Sequence, residues 1–95
     1  MVERLTNQVE KEARDNEILR AVIEDGPIGI VRLSEQTGVP EHKVRYSLRM
    51  LENDGLVEPT QNGAIPADDV DEQLAEINEG IDDIIERLEA LKGRF

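Results

Sequence analysis

The sequence predicts a mainly α-helical fold: three helices, a small β-hairpin and a long C-terminal helix, with a helical extension at the N-terminus. Three observations predict it. Apolar residues recur at helical spacing in stretches that each end at a glycine, Gly26, Gly38 or Gly55. After Gly55 the period changes, and Asn62-Gly63 separates two short β-prone runs. From Val70 to Leu91 apolar residues alternate spacings of four and three without a break.

The elements follow in order. Val2, Leu5, Val9 and Ala13 form a weak helical stripe, read as an extension over residues 1–17. Ile18, Leu19, Val22 and Ile23 give the first strong apolar face, and Gly26 ends it with a conformation at positive φ. Ile30, Leu33 and Thr37 repeat the pattern over barely two turns. Pro40 suits the start of a third helix, with Glu41 where the helix dipole favours a carboxylate. Val44, Leu48 and Leu51 mark its inner face as far as Asp54. Leu56-Val57-Glu58 and Ala64-Ile65 are strands confined to edges by Pro59 and Pro66, with Asn62-Gly63 as the turn. Residues 18–66 thus form one domain, and residues 67–95 a separate amphipathic helix.

In that last helix Asp68 can cap the start, and Asp69, Asp71 and Glu72 suit the first turn. Val70, Leu74, Ile77, Ile81, Ile84, Leu88 and Leu91 form a heptad seam, widened by Ile85. With Val70, Ile77, Ile84 and Leu91 placed at a and Leu74, Ile81 and Leu88 at d, the flanks Asp69, Glu76, Asp82, Asp83 and Glu89 are acidic. Gly80 then falls at an outward f position. One apolar stripe of this length must be buried somewhere, and the seam predicts a homodimer.

Composition narrows the function. In 95 residues there are 22 Asp+Glu, 11 Lys+Arg, one histidine and no cysteine, for a net charge of −11. A chain this short buries a small core, which disfavours a large substrate pocket. Without cysteine there are no disulfides, zinc-thiolate sites or thiol chemistry. No apolar run is long enough to span a membrane, and Met1-Val2-Glu3-Arg4 opens no apolar signal core, so a cytoplasmic location is expected. No phosphate-binding loop, calcium loop or nucleophile motif is present, and acidic pairs such as Asp82-Asp83 are ordinary solvated charge. The sequence points to no enzyme, no catalytic residue, no cofactor and no metal.

The acid is unevenly placed. Residues 1–25 carry a net charge of −3, residues 26–66 of −1 and residues 67–95 of −7. The middle, nearly neutral, has the region that resembles a known family. Ile30-Val31-Arg32-Leu33-Ser34-Glu35-Gln36-Thr37-Gly38-Val39-Pro40, the helix Glu41 to Leu51, and Glu52-Asn53-Asp54-Gly55-Leu56-Val57 resemble a winged helix-turn-helix domain. Domains of this kind occur in bacterial and archaeal transcriptional regulators such as the MarR, ArsR and PadR families. The resemblance implies a recognition helix over Pro40 to Asp54 that lies in the DNA major groove, and a hairpin wing beside it. Three lysines against eight arginines, with abundant carboxylates, also resemble proteins of salt-loving archaea.

A helical wheel makes this concrete. With Val44, Leu48 and Leu51 inward, His42, Tyr46, Arg49 and Asn53 fall on the opposite side, flanked by Lys43 and Arg45. Arginine can pair guanine bidentately, asparagine adenine, and lysine or tyrosine can reach phosphates. Arg32 is a candidate phosphate contact, and Ser34 and Gln36 are candidate positioning contacts. Any surface helix needs polar residues outside, but here the cations share one face and Glu41 and Glu52 stand aside. The stretch Glu58 to Pro66 contains no Lys or Arg, which leaves wing contacts to DNA without a cation. The expected partners are double-stranded DNA and a second copy of the chain. The rival is a winged-helix module for protein–protein contact without DNA binding.

Overall fold

Helix α1 (Val2–Asp25) runs unbroken for 24 residues in the computed structural model, which describes residues 1–94. No glycine or proline interrupts this span, so nothing stops the helix between its weak and strong apolar stripes. The extension expected over residues 1–17 is therefore the N-terminal part of the first core helix. Its inward residues are Asp15, Ile18, Leu19 and Val22. Ile23 was expected on that face but is exposed, because it lies about 100° round the helix from Val22. Gly26 ends α1 at φ −63°, not at the positive φ expected. It is needed for space instead: a Cβ there would sit 2.6 Å from the Val22 carbonyl oxygen and 2.9 Å from that of Ala64.

Helices α2 (Ile30–Thr37) and α3 (Glu41–Asn53) are joined by Gly38-Val39-Pro40. Gly38 takes the left-handed conformation, φ +74°, that closes α2, and Pro40 is the N-cap of α3. Side chains hold this turn in shape. The Ser34 hydroxyl donates to the Val39 carbonyl at 2.7 Å, and the Thr37 hydroxyl donates to that of Leu33 at 2.7 Å. The Val39 amide in turn donates to Thr37 Oγ1 at 3.2 Å. Polar groups that the change of direction would otherwise strand are thereby satisfied.

Strands β1 (Val57–Thr60) and β2 (Gly63–Pro66) pair antiparallel, with Val57 opposite Pro66 and Thr60 opposite Gly63. The turn is therefore Gln61-Asn62, one residue earlier than the expected Asn62-Gly63. A primed Asn-Gly turn needs positive φ at both residues, and no residue other than glycine has positive φ among the described residues. Gly63 is claimed by a different demand. Ile28 pairs with Ala64 through two backbone hydrogen bonds of 3.1 and 2.8 Å, so a Cβ on Gly63 would lie 2.5 Å from the Ile28 backbone. β2 is thus flanked on both sides, and β1 with Pro59 is the outer edge. Leu56 stays outside β1, because its amide closes the end of α3 on the Leu51 carbonyl at 3.0 Å.

The core gathers between these elements. Ile18, Val22, Ile28, Leu33 and Val44 are fully enclosed, and Leu19, Leu48, Leu51, Leu56, Val57, Ala64 and Val70 complete it. Each buried Leu, Ile or Val contributes on the order of 1.5–3 kcal/mol relative to exposure. Helix α4 (Val70–Leu91) leaves this core at once. Its N-cap is Asp69, not Asp68. Gln73 Nε2 donates both to Asp69 Oδ1 and to the Gly55 carbonyl, each at 2.9 Å, which ties the first turn of α4 to the end of α3.

Two corrections concern the seam of α4. Val70 is buried and Leu74 packs against the core, so these two positions serve the chain's own domain. Ile77, Ile81, Ile84, Ile85, Leu88 and Leu91 remain exposed. In addition, a stripe spaced four-then-three from Val70 puts Leu74, Ile81 and Leu88 at a and Val70, Ile77, Ile84 and Leu91 at d. The e positions are then Asp71, Asn78 and Ile85, and the g positions Gln73, Gly80 and Arg87, so the seam's flanks carry few acids. The α4 carboxylates lie mostly farther out. The Cα radius of gyration is 15.1 Å, against about 12 Å for a compact domain of this length, because α4 and the start of α1 project from the core.

Candidate nucleic-acid interface

Helix α3 carries the candidate site. Its inner face is Val44, Ser47, Leu48 and Leu51, all buried. His42, Lys43, Arg45, Arg49 and Asn53 are exposed. The register follows from the apolar residues: once Val44, Leu48 and Leu51 face the core, residues four and three apart on the far side have to face solvent. Among the described residues the one ion pair is Asp83–Arg87 on α4, at 2.9 Å. None of the α3 cations is therefore neutralised by a neighbouring carboxylate at contact distance.

The outer face of α3 has two flanks that the wheel did not separate. Arg45 and Arg49 lie toward α2 and line a shallow depression with Ile30, Leu48 and Glu52. This depression adjoins a groove of about 430 Å³ between α3 and the wing, bounded by Ile28, Leu48, Glu52 and residues 59–64. Tyr46 lies on the other flank, against α1. Its hydroxyl accepts a hydrogen bond from Lys11 Nζ at 3.0 Å, and its ring centroid is 4.9 Å from Lys11 Nζ and 5.9 Å from Arg14 Cζ. Tyr46 was expected to point outward with His42, Arg49 and Asn53. It is 43% exposed, but its hydroxyl is engaged within the chain.

Arg14 makes a further contact, with Nε donating to the buried Ser47 hydroxyl at 3.2 Å. The hydrogen bond with Tyr46 and the charge interaction with it push the Lys11 ammonium above its ordinary pKa, with smaller contributions from Asp15 and Glu12. Lys11 and Arg14 escaped the sequence reading because they belong to another helix, some 35 residues away. The one signal for them was two bases three apart on the stretch that leads into the Ile18 face.

The α2 candidates divide in the same way. Arg32 and Gln36 are exposed. Ser34 is half-buried, and its hydroxyl is committed to the turn. The wing tip, Thr60 to Gly63, has its polar groups partly used internally: Thr60 Oγ1 donates to the Gly63 carbonyl at 2.6 Å and accepts from the Asn62 amide at 3.2 Å. Among the described residues no three His, Asp or Glu side chains are placed to hold a metal ion, and no helix is long and apolar enough to cross a membrane.

The arrangement is a three-helix core with α2 and α3 joined by a three-residue turn, a hairpin beside α3 and cations along the outer face of α3. No curated protein matches the chain significantly. The model of the winged helix-turn-helix DNA-binding family matches residues 11–58. That span runs from Lys11 through α2 and α3 into β1 and makes up about half of the chain. The chain therefore belongs to the winged helix-turn-helix DNA-binding family.

Proposed function

We propose that this protein is a sequence-specific DNA-binding transcriptional regulator that acts as a dimer in concentrated salt. One observation carries the reading: His42, Arg45, Arg49 and Asn53 are exposed on the face of α3 opposite its buried side, and among the described residues its arginines have no ion-pair partner. Arg45 and Arg49 are the candidates for guanine, Asn53 for adenine, and His42 for a base edge or phosphate. Lys43, Arg32 and Gln36 supply backbone contacts. A chain acting on chromosomal DNA in this way works in the cytoplasm and needs no catalytic residue or cofactor.

Dimerisation is supported by the exposed apolar face of α4, from Ile77 to Leu91. A second copy covers that face and sets two recognition helices on two half-sites. High salt is supported by the net −7 of residues 67–95. At 1 M salt the Debye length is about 3 Å, so this charge neither repels DNA nor opposes pairing of two α4 helices. Dimer stability therefore rises with KCl. In molar KCl DNA affinity depends only weakly on further salt, because counterion release no longer drives it strongly.

The test is selection of bound genomic fragments by the purified protein in molar KCl, followed by titration of the selected duplex. Arg49→Ala and Arg45→Ala are each expected to lose preferential binding to the selected duplex with an unchanged unfolding curve. Normal binding by both variants would remove α3 from the role of recognition helix. The rival, a protein–protein module, draws on the absence of Lys and Arg from the wing. It predicts no selected fragment, and a protein partner retained on the immobilised chain in the same buffer.

A further inference from the structure

Lys11 and Arg14 form a cation pair that the recognition-helix reading leaves unused. Both stand over one aromatic ring, at 4.9 and 5.9 Å from its centroid. Both are anchored by hydrogen bonds to α3, Lys11 to Tyr46 and Arg14 to Ser47. Among the described residues neither has a carboxylate within ion-pair distance. Glu12, next in sequence to Lys11, accepts a hydrogen bond from Gln8 Nε2 at 2.9 Å. Two cations against one ring repel each other, and an anion beside them relieves the repulsion. Their anchors also remove part of the side-chain entropy that a flexible lysine or arginine loses on binding.

The position of the pair selects the anion. An α-helix with its side chains is about 10–12 Å across, and the major groove is about 12 Å wide. If α3 fills the groove, the helix packed along its flank faces the groove wall, which is sugar-phosphate backbone. Lys11 and Arg14 are on that flanking helix, beside the middle of α3. Lys43, one turn before Tyr46, extends the same edge.

We propose that Lys11 and Arg14 clamp one backbone phosphate of duplex DNA beside the recognition helix. Tyr46 and Ser47 act as their positioning residues. The clamp rests on the reading of α3 as the recognition helix and extends the interface from α3 to α1. It stands on the side of α3 away from the wing, which offers no Lys or Arg, so the backbone grip of this protein is shifted from wing to α1. A phosphate contact of this kind carries no base information.

The test uses the full chain, a duplex selected for binding and a scrambled duplex of equal length, titrated by fluorescence anisotropy over a range of KCl. Lys11→Gln and Arg14→Gln are expected to weaken both duplexes by the same factor. The double variant Lys11→Gln/Arg14→Gln is expected to make the slope of log affinity against log salt, read at sub-molar KCl, less negative by about 0.9, the value for one phosphate, and each single variant by part of that. Lys11→Arg keeps the charge and is expected to retain the wild-type slope. Arg49→Ala, by contrast, is expected to lower affinity for the selected duplex alone. If the two glutamine variants keep the wild-type affinity and slope while Arg49→Ala loses the selected site, the clamp is overturned and the recognition helix stands. If the wild-type chain binds neither duplex, the recognition-helix reading itself fails.

Discussion

Helices α3 and α4 both carry an apolar stripe at helical spacing, and their fates differ. The stripe of α3 is covered by α1, α2 and the hairpin, so that Val44, Leu48 and Leu51 are nearly inaccessible. The stripe of α4 is covered only at Val70 and Leu74, and Ile84 beyond them is 54% exposed. Periodicity says which face of a helix is buried. It does not say whether the covering surface belongs to the same chain. In α3 the short connections on either side return neighbours to the stripe. In α4, a helix about 33 Å long at 1.5 Å per residue outruns a core built from about 50 residues.

The sharpest way to break the comparison is to remove equal apolar bulk from each region. Leu33→Ala, in the enclosed core, is expected to cost about 2–5 kcal/mol through lost transfer energy and a residual cavity. Urea unfolding would show that loss at every protein concentration. Ile81→Ala is expected to shift unfolding of the isolated chain by no more than about 0.5 kcal/mol and to weaken self-association in sedimentation experiments. If Ile81→Ala destabilises a dilute, monomeric chain as much as Leu33→Ala, α4 packs on its own domain and the contrast collapses.

The next largest effect belongs to the hairpin. Gly63→Ala places a Cβ 2.5 Å from the Ile28 backbone at a residue with φ +123°. Conformational strain and overpacking together are expected to cost about 2–3 kcal/mol. The loss should appear in unfolding curves and as faster amide exchange at Ile28 and Ala64. Unchanged stability and exchange would mean that the Ile28–Ala64 pairing contributes little to the fold.

These cases show what was legible. The helices, their order and the turn between α2 and α3 are local properties of Ile30 to Leu51, and periodicity and glycine position report local properties well. The hairpin was legible in place but not in register. The choice of Gln61-Asn62 over Asn62-Gly63 is made by Ile28, 35 residues upstream of Gly63. The exposed residues of α3 could be read from its inner stripe, because the core fixes both faces at once. The partners of Tyr46 could not, since which flank of α3 meets α1 depends on how the two helices cross.

Asp15 presents the same kind of problem inside the core. It is 6% exposed, and its Oδ1 has no hydrogen-bond partner in the structure. A buried polar atom without a partner costs about 1–3 kcal/mol. Asp15→Leu, of similar length and apolar, is expected to raise stability by about 1–2 kcal/mol in urea unfolding. A loss of stability would show instead that the carboxylate contributes through its attraction to Lys11.

The smallest effect returns to α4 and separates its two possible states. Gly80 is inside the helix at negative φ, with open space where a Cβ would go. Gly80→Ala is therefore expected to stabilise the helix by about 0.5–1 kcal/mol, the propensity difference between the two residues. Where that energy appears depends on what covers Ile77 to Leu91. If α4 frays in the lone chain and orders on pairing, alanine lowers the ordering cost in both copies and tightens the dimer by up to about 30-fold, with more helix by circular dichroism in dilute solution. If the face of α4 never pairs, the same substitution raises dilute helicity and leaves sedimentation unchanged. A helix whose face is already covered within its own chain would show the gain in urea unfolding, as α3 would.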